Sequence, residues 1–210
     1  VIPTGLLAQF TRTVGATGAD YQSLNEAFFD INNGILTGNI TLQIIDNTTE
    51  SLPAEILESG ISGPPGYTSI TIYPTIPGLS ITGDFDGPMI NFNSATNVTI
   101  DGRVNESGST ADLLISNINT GSSASTIQFI NDASNNNISY CKIMGSSTNV
   151  AGGVIFFSTS ASGTGNDGNT INFNTISSDP AGRPVNAIFS AGTTGQENSG
   201  ITISDNTIYN

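Results

Sequence analysis

The chain contains no histidine, so the side chain that most readily takes and gives a proton near neutrality is missing. A single cysteine, Cys141, excludes an internal disulfide framework and any zinc site built on several thiolates. Lys142 beside it is placed to lower its pKa, but with no histidine to serve as base Cys141 reads as a small residue filling a corner. Basic residues are almost as scarce. Arg12, Arg103, Lys142 and Arg183 stand against 17 acidic residues, a formal net charge of −13 that repels nucleic acid and anionic membranes. No apolar run approaches membrane-spanning length.

Charged residues make up only 10% of the chain, and Asn, Ser, Thr and Gly supply the polarity instead. Such a mixture often marks disorder, but here the apolar residues are β-branched and periodic, which disordered chains are not. Ile90-Asn-Phe92 is followed by Asn97-Val-Thr-Ile100, Ile127-Gln-Phe129 by Asn137-Ile-Ser-Tyr140, and Ile155-Phe-Phe157 by Asn169-Thr-Ile171-Asn-Phe173. The phrase returns at Ile188-Phe189 and Gly200-Ile-Thr-Ile203. Phe129, Phe157 and Phe189 are 28 and 32 residues apart, and Ile100, Tyr140, Phe173 and Ile203 step by 40, 33 and 30. A period in this range with strand alternation inside each unit predicts a solenoid whose turns absorb the irregular steps.

Alternation places Ile138 with Tyr140, Ile171 with Phe173 and Ile201 with Ile203 on an inward face, with Ser139 outward. Ile143 and Ile176 each follow the first of these residues by five, so a bend must intervene. Short strands joined at bends describe coils of a parallel β-helix, with Phe129, Phe157 and Phe189 expected to stack. Asn97, Asn137 and Asn169 read as turn and amide-ladder residues. The outward positions Thr71, Thr99, Ser139, Asn172 and Thr202 form a mixed ladder, too irregular for the flat threonine array expected of an ice-binding surface.

The first fifty residues differ. Ser23-Leu-Asn-Glu26 reads as a capping box, Leu24, Ala27, Phe28 and Ile31 share one helical face, and Asn32-Asn-Gly34 stops the helix. A helix there covers the open end of the first coil. The expected organisation is one continuous domain, with residues 1–50 as arm, capping helix and first strand and residues 51–210 as coils. The apolar segment Val1 to Phe10 is expected to act as an arm that pairs with the uncapped C-terminal coil of a neighbour, a contact that does not close and gives filaments.

Tyr21 to Glu50, with its Tyr-Gln-Ser-Leu-Asn-Glu-Ala start and Leu36-Thr-Gly-Asn-Ile-Thr-Leu42, resembles the opening of large secreted β-helix proteins of Bacteroidetes-type bacteria. Asn97-Val-Thr-Ile-Asp-Gly-Arg103 and Asn136-Asn-Asn-Ile-Ser-Tyr-Cys-Lys-Ile143 resemble their coil phrases. The resemblance implies an all-β, right-handed, single-stranded, pectate-lyase-like parallel β-helix with a short N-terminal amphipathic capping helix. It also implies export to the cell surface within an adhesin or filament, and no particular reaction.

Chemistry has few footholds. Asp84-Phe-Asp86-Gly87 and Asn166-Asp167-Gly168 are the local calcium candidates, each short of the ligands of a recognised calcium loop. Asp101 with Asp84 and Asp86 is the best carboxylate cluster for glycoside hydrolysis, with Arg103 to grip a substrate carboxylate. Against it, the Asn-Thr-Asp, His-Gly and Arg-Ile-Lys motifs of polygalacturonases are missing, and Arg183-Pro184 is only a fragment of the pectate-lyase arginine phrase. The expected function is therefore a non-enzymatic extracellular structural or adhesive solenoid, with no catalytic, cofactor or metal residues assigned. A carbohydrate-active or carbohydrate-binding β-helix is the alternative.

Overall fold

The computed structural model describes residues 9–60 and 63–209. The strands fall into three parallel sheets, and from Thr37 onward the chain visits them in the same order on each turn, in a solenoid of about six turns. The first sheet has seven strands: Gln9–Val14, Thr37–Ile44, Gly66–Pro74, Val98–Asp101, Asn137–Ser139, Thr170–Asn172 and Thr202–Ser204. The second runs through Thr48–Thr49, Leu79–Gly83, Leu113–Asn117, Cys141–Gly145, Thr175–Ser178 and Thr207–Ile208. The third comprises Ala54–Leu57, Pro88–Asn93, Ser125–Ile130, Ile155–Phe157 and Ile188–Ser190. At the usual spacing between strands, seven of them stack to about 30 Å.

Inward side chains line up by register. In the first sheet Leu42, Ile72, Ile100, Ile138, Ile171 and Ile203 share one row. In the second, Ile81, Ile115, Ile143, Ile176 and Ile208 do so. In the third, Phe92, Phe129 and Phe157 stack with ring centroids 4.9 and 4.8 Å apart and planes within 8° and 11° of parallel. All three rings are fully buried.

Phe189 does not join that stack. Its phrase lacks the residue between Ile188 and the aromatic ring, so Ile188 keeps register with Ile155 while Phe189 aligns with the outward Phe156 and Ser190 takes the place under Phe157. A shift of one residue reverses the face. The two outer rings lie 6.0 Å apart and tilted by 51°.

Tyr140 and Phe173 also turn outward. Each forms a one-residue corner between the first and second sheets in the left-handed region, at φ 53° and 56°, which breaks the two-residue alternation. The bend expected before Ile143 and Ile176 is this residue, and the buried Cys141 takes the next inward place. Gly102 occupies the same corner one coil earlier, where a Cβ would collide with the Tyr140 carbonyl.

Helix α1 (Leu24–Asn32) buries Leu24, Ala27, Phe28 and Ile31, the face read from the sequence, and Ser23 Oγ accepts the Glu26 N–H. Glu50 adds an unforeseen cap: its carboxylate accepts the Leu24 and Asn25 N–H groups, both at 2.9 Å. Burial nevertheless pushes its pKa up against those bonds, which pull it down. An acid whose folded pKa is raised loses stabilisation as pH rises from its unfolded value toward the folded one. Urea titrations from pH 4 upward should therefore show wild type declining relative to Glu50→Gln, by at most about 1.4 kcal/mol per pH unit. A difference between the two proteins that is flat across that window would refute the assignment.

Phe10 lies in the first strand, which pairs in parallel with Thr37–Ile44 of its own chain from Gln9↔Asn39 to Val14↔Ile44. The expected intermolecular arm is corrected to that extent: Gln9 and Phe10 belong to the chain's own sheet, and residues 1–8 lie outside the described residues.

Candidate functional site

Each side chain singled out in the sequence has a definite place, and most are engaged in holding the coils together. Asp101 ends its strand at the corner of the first and second sheets, where Arg103 returns a two-pronged bond: Nε donates to Oδ1 at 2.9 Å and the guanidinium also reaches Oδ2. The Arg103 guanidinium lies 4.4 Å from the Tyr140 ring centroid, and Tyr140 stacks on Phe173 at 4.8 Å. Arg103 is thus committed to Asp101 and to an aromatic face rather than free to grip a substrate, and its bond to Asp101 pushes its pKa further up.

Asp84 and Asp86 sit elsewhere, on the turn between the second and third sheets. There Asn119 donates to Asp84 Oδ1 at 2.7 Å and the Ser123 N–H to Asp86 Oδ1 at 2.8 Å. The cluster of Asp84, Asp86 and Asp101 is therefore divided between two different corners of the coil.

The second calcium candidate is likewise structural. Asn166 is fully buried and donates to Asn198 at 2.8 Å, while Asp167 accepts both the N–H and the hydroxyl of Ser199 one coil on. Those bonds hold the Asp167 pKa low against the opposing effect of desolvation. Among the described residues no group of three or more His, Cys, Asp or Glu side chains converges. Cys141 is fully buried, and burial pushes its thiol pKa up, the reverse of the lowering expected from Lys142. Arg183 stands on an exposed loop.

The outward ladder is re-registered. Thr11, Thr41, Thr71, Thr99, Asn137, Thr170 and Thr202 form one row, while Ser139 and Asn172 belong to the next row with Asp101 and Ser204. Sequence alternation had crossed from one row to the other because the strand segments start at different points. The amide ladders shift similarly: Asn136 stacks on Asn169, Asn166 on Asn198 and Asn174 on Asn206, with amide bonds of 2.8–3.1 Å. Asn97 is a left-handed turn residue at φ 58°, and Asn137 lies on a strand.

One concave feature was not foreseen. At the corner where the third sheet leads to the first, four successive coils contribute Glu58, then Ser94 and Thr96, then Asn131 and Asp132, then Ser162 and Thr164 to a groove of about 330 Å³. Its fixed wall is well braced. Asp132 Oδ1 accepts the N–H groups of Thr164 and Gly165, both at 2.9 Å. Gly163, at φ 78°, passes so close to that carboxylate that any side chain there would collide with it. Beneath the opposite end lies the buried Tyr67, whose hydroxyl donates to Leu57 O at 2.8 Å. Burial, with the Glu58 charge adding to it, pushes the Tyr67 pKa up to about 12. Every residue lining the groove is of a polar type, and none is a lysine or arginine.

No family model matches the chain, and neither a curated protein nor a solved structure was found to be similar to it.

Proposed function

We propose that this β-solenoid is a non-enzymatic structural and adhesive element of the extracellular cell surface, one short segment of a stiff assembly built by contact between its ends. The observation that carries this reading is the isoleucine rows of the first and second sheets, kept in register from coil to coil with amide pairs between adjacent coils, a construction that rewards stacking of further coils in the same way. The two ends are unlike. Phe29 and Ile35 are exposed around the capping helix, and Ile203, Ile208 and Tyr209 are exposed on the last described coil. Contact between unlike ends does not close and propagates as a filament. The commitment of Asp84, Asp86, Asp101 and Asp167 to neighbouring backbone and side chains favours architecture over acid–base catalysis. Low charge, one buried cysteine and coil phrases resembling those of secreted β-helix proteins favour an extracellular setting.

Light scattering and negative-stain micrographs over a rising protein concentration test the assembly. Particles should lengthen in multiples of about 30 Å, and Ile203→Asp with Ile208→Asp should hold them at one unit. A wild-type protein that stays a single unit at every concentration would overturn the filament reading, and release of reducing or unsaturated ends from a polysaccharide panel would overturn the non-enzymatic one. The groove favours a second reading, carbohydrate binding.

A further inference from the structure

We infer that the groove at the corner between the third and first sheets is a binding site for a neutral glycan. This deepens the adhesive part of the function proposed above and is independent of assembly through the ends, so the two can fail separately.

Size comes first. A groove of about 330 Å³ lies at the lower end of small-molecule sites, and because it is built from four successive coils it runs along the stack rather than into it. That shape suits part of an extended chain better than a compact cofactor.

Chemistry selects the ligand. The walls offer hydroxyls at Thr96 and Ser162, an amide at Asn131 and carboxylates at Glu58 and Asp132, a set rich in acceptors and free of cationic side chains. Adjacent hydroxyls of a sugar ring supply two donors to one carboxylate, and hydroxyls on the wall return donors to the ring oxygens. An acidic glycan would meet two carboxylates with no counter-charge, on a chain of net charge −13. A divalent cation would find only two carboxylates, one of which already has an oxygen bonded to the Thr164 and Gly165 N–H groups. A neutral polyol is the class that matches donors, acceptors and charge together.

Preorganisation supports the assignment. The Asp132 carboxylate is fixed by three bonds from the loop at Thr164 and Gly165. The Ser94 hydroxyl is tied to the Asn131 carbonyl of the next coil, and the Thr96 N–H lies over the Tyr67 hydroxyl at 3.4 Å. Glu58 stands exposed at the rim and its side chain makes no hydrogen bond to the coils among the described residues, which makes it the residue to change without disturbing the core.

Isothermal titration with neutral gluco-, manno- and galacto-oligosaccharides, each in EDTA, is the direct experiment, with polygalacturonate and alginate as the acidic arm. At least one neutral probe should bind with a Kd below about 1 mM, and Glu58→Gln and Thr96→Val should each weaken it by about tenfold or more. Lys142→Ala, on the outer face of the second sheet, should leave it unchanged. Circular dichroism melting verifies that each variant is folded, and Glu58→Gln by itself suffices if Thr96→Val proves unstable. Absence of binding by every neutral probe, preference for the acidic arm, or full affinity in Glu58→Gln would each overturn the assignment. So would binding that appears only when calcium replaces EDTA, which would assign the groove to a cation.

Discussion

Phe129→Ala should cost about 3–5 kcal/mol, the range for deleting a fully buried aromatic ring from a close-packed interior. Phe129 is the middle ring of three, in contact with Phe92 on one side and Phe157 on the other, so its loss opens a cavity and breaks two stacked pairs at once. Because every coil rests on its neighbours, the effect should spread to the coils on both sides rather than stay local. Phe173→Ala supplies the contrast: that ring also stacks, on Tyr140, but it stands 42% exposed and its removal leaves no sealed void. Urea denaturation of the two variants should separate them by at least about 2 kcal/mol. Equal losses would mean that the inward stack is not what holds the coils in place.

Asn136→Ala is also expected to destabilise, by about 1–3 kcal/mol, although it removes no apolar surface. The buried Asn136 amide accepts the Val98 N–H at 3.0 Å and donates to the Ala95 carbonyl at 2.9 Å and to Asn169 Oδ1 at 3.0 Å. Truncation leaves the Val98 N–H of the preceding coil without a partner, while the Ala95 carbonyl keeps the Ser134 N–H and Asn169 Oδ1 keeps the Asn136 backbone N–H. Hydrogen exchange makes the assignment specific, since the Val98 amide should lose protection well before global unfolding. Asn97→Ala, on an exposed turn at φ 58°, should cost only about 1 kcal/mol through its left-handed backbone and leave the Val98 amide protected. An Asn136 variant as stable as wild type, with Val98 still protected, would remove the amide ladders from the account of stability.

The sequence made the isoleucine rows legible because strand alternation is local: Ile138, Ile143, Ile171 and Ile176 announce their face within five residues. It made α1 legible for the same reason, since Ser23 and the Leu24, Ala27, Phe28 and Ile31 face lie within nine residues. Features that depend on register between coils were misplaced. Tyr140 and Phe173 each spend one residue on a left-handed corner, and neither carries the glycine that usually marks one. Asn136 and Asn174 look no different from neighbouring asparagines until the coils are superposed. Glu50 reaches α1 from 25 and 26 residues away, a pairing no local pattern encodes. The groove was invisible for a like reason: Glu58, Thr96, Asp132 and Thr164 are scattered over a hundred positions and acquire a common direction only when four turns are laid side by side. The acid cluster Asp84, Asp86 and Asp101 failed in the opposite sense, because closeness in sequence placed it around a corner.

The hydrogen bonds that join one coil to the next run along the stack, and that direction decides how the protein responds to being pulled. A load applied to the two termini falls on a single rung at a time, so the body should peel rather than shear, yielding one turn of slack per rupture. A surface tether made of such units would lengthen stepwise under drag while its remaining turns stayed folded.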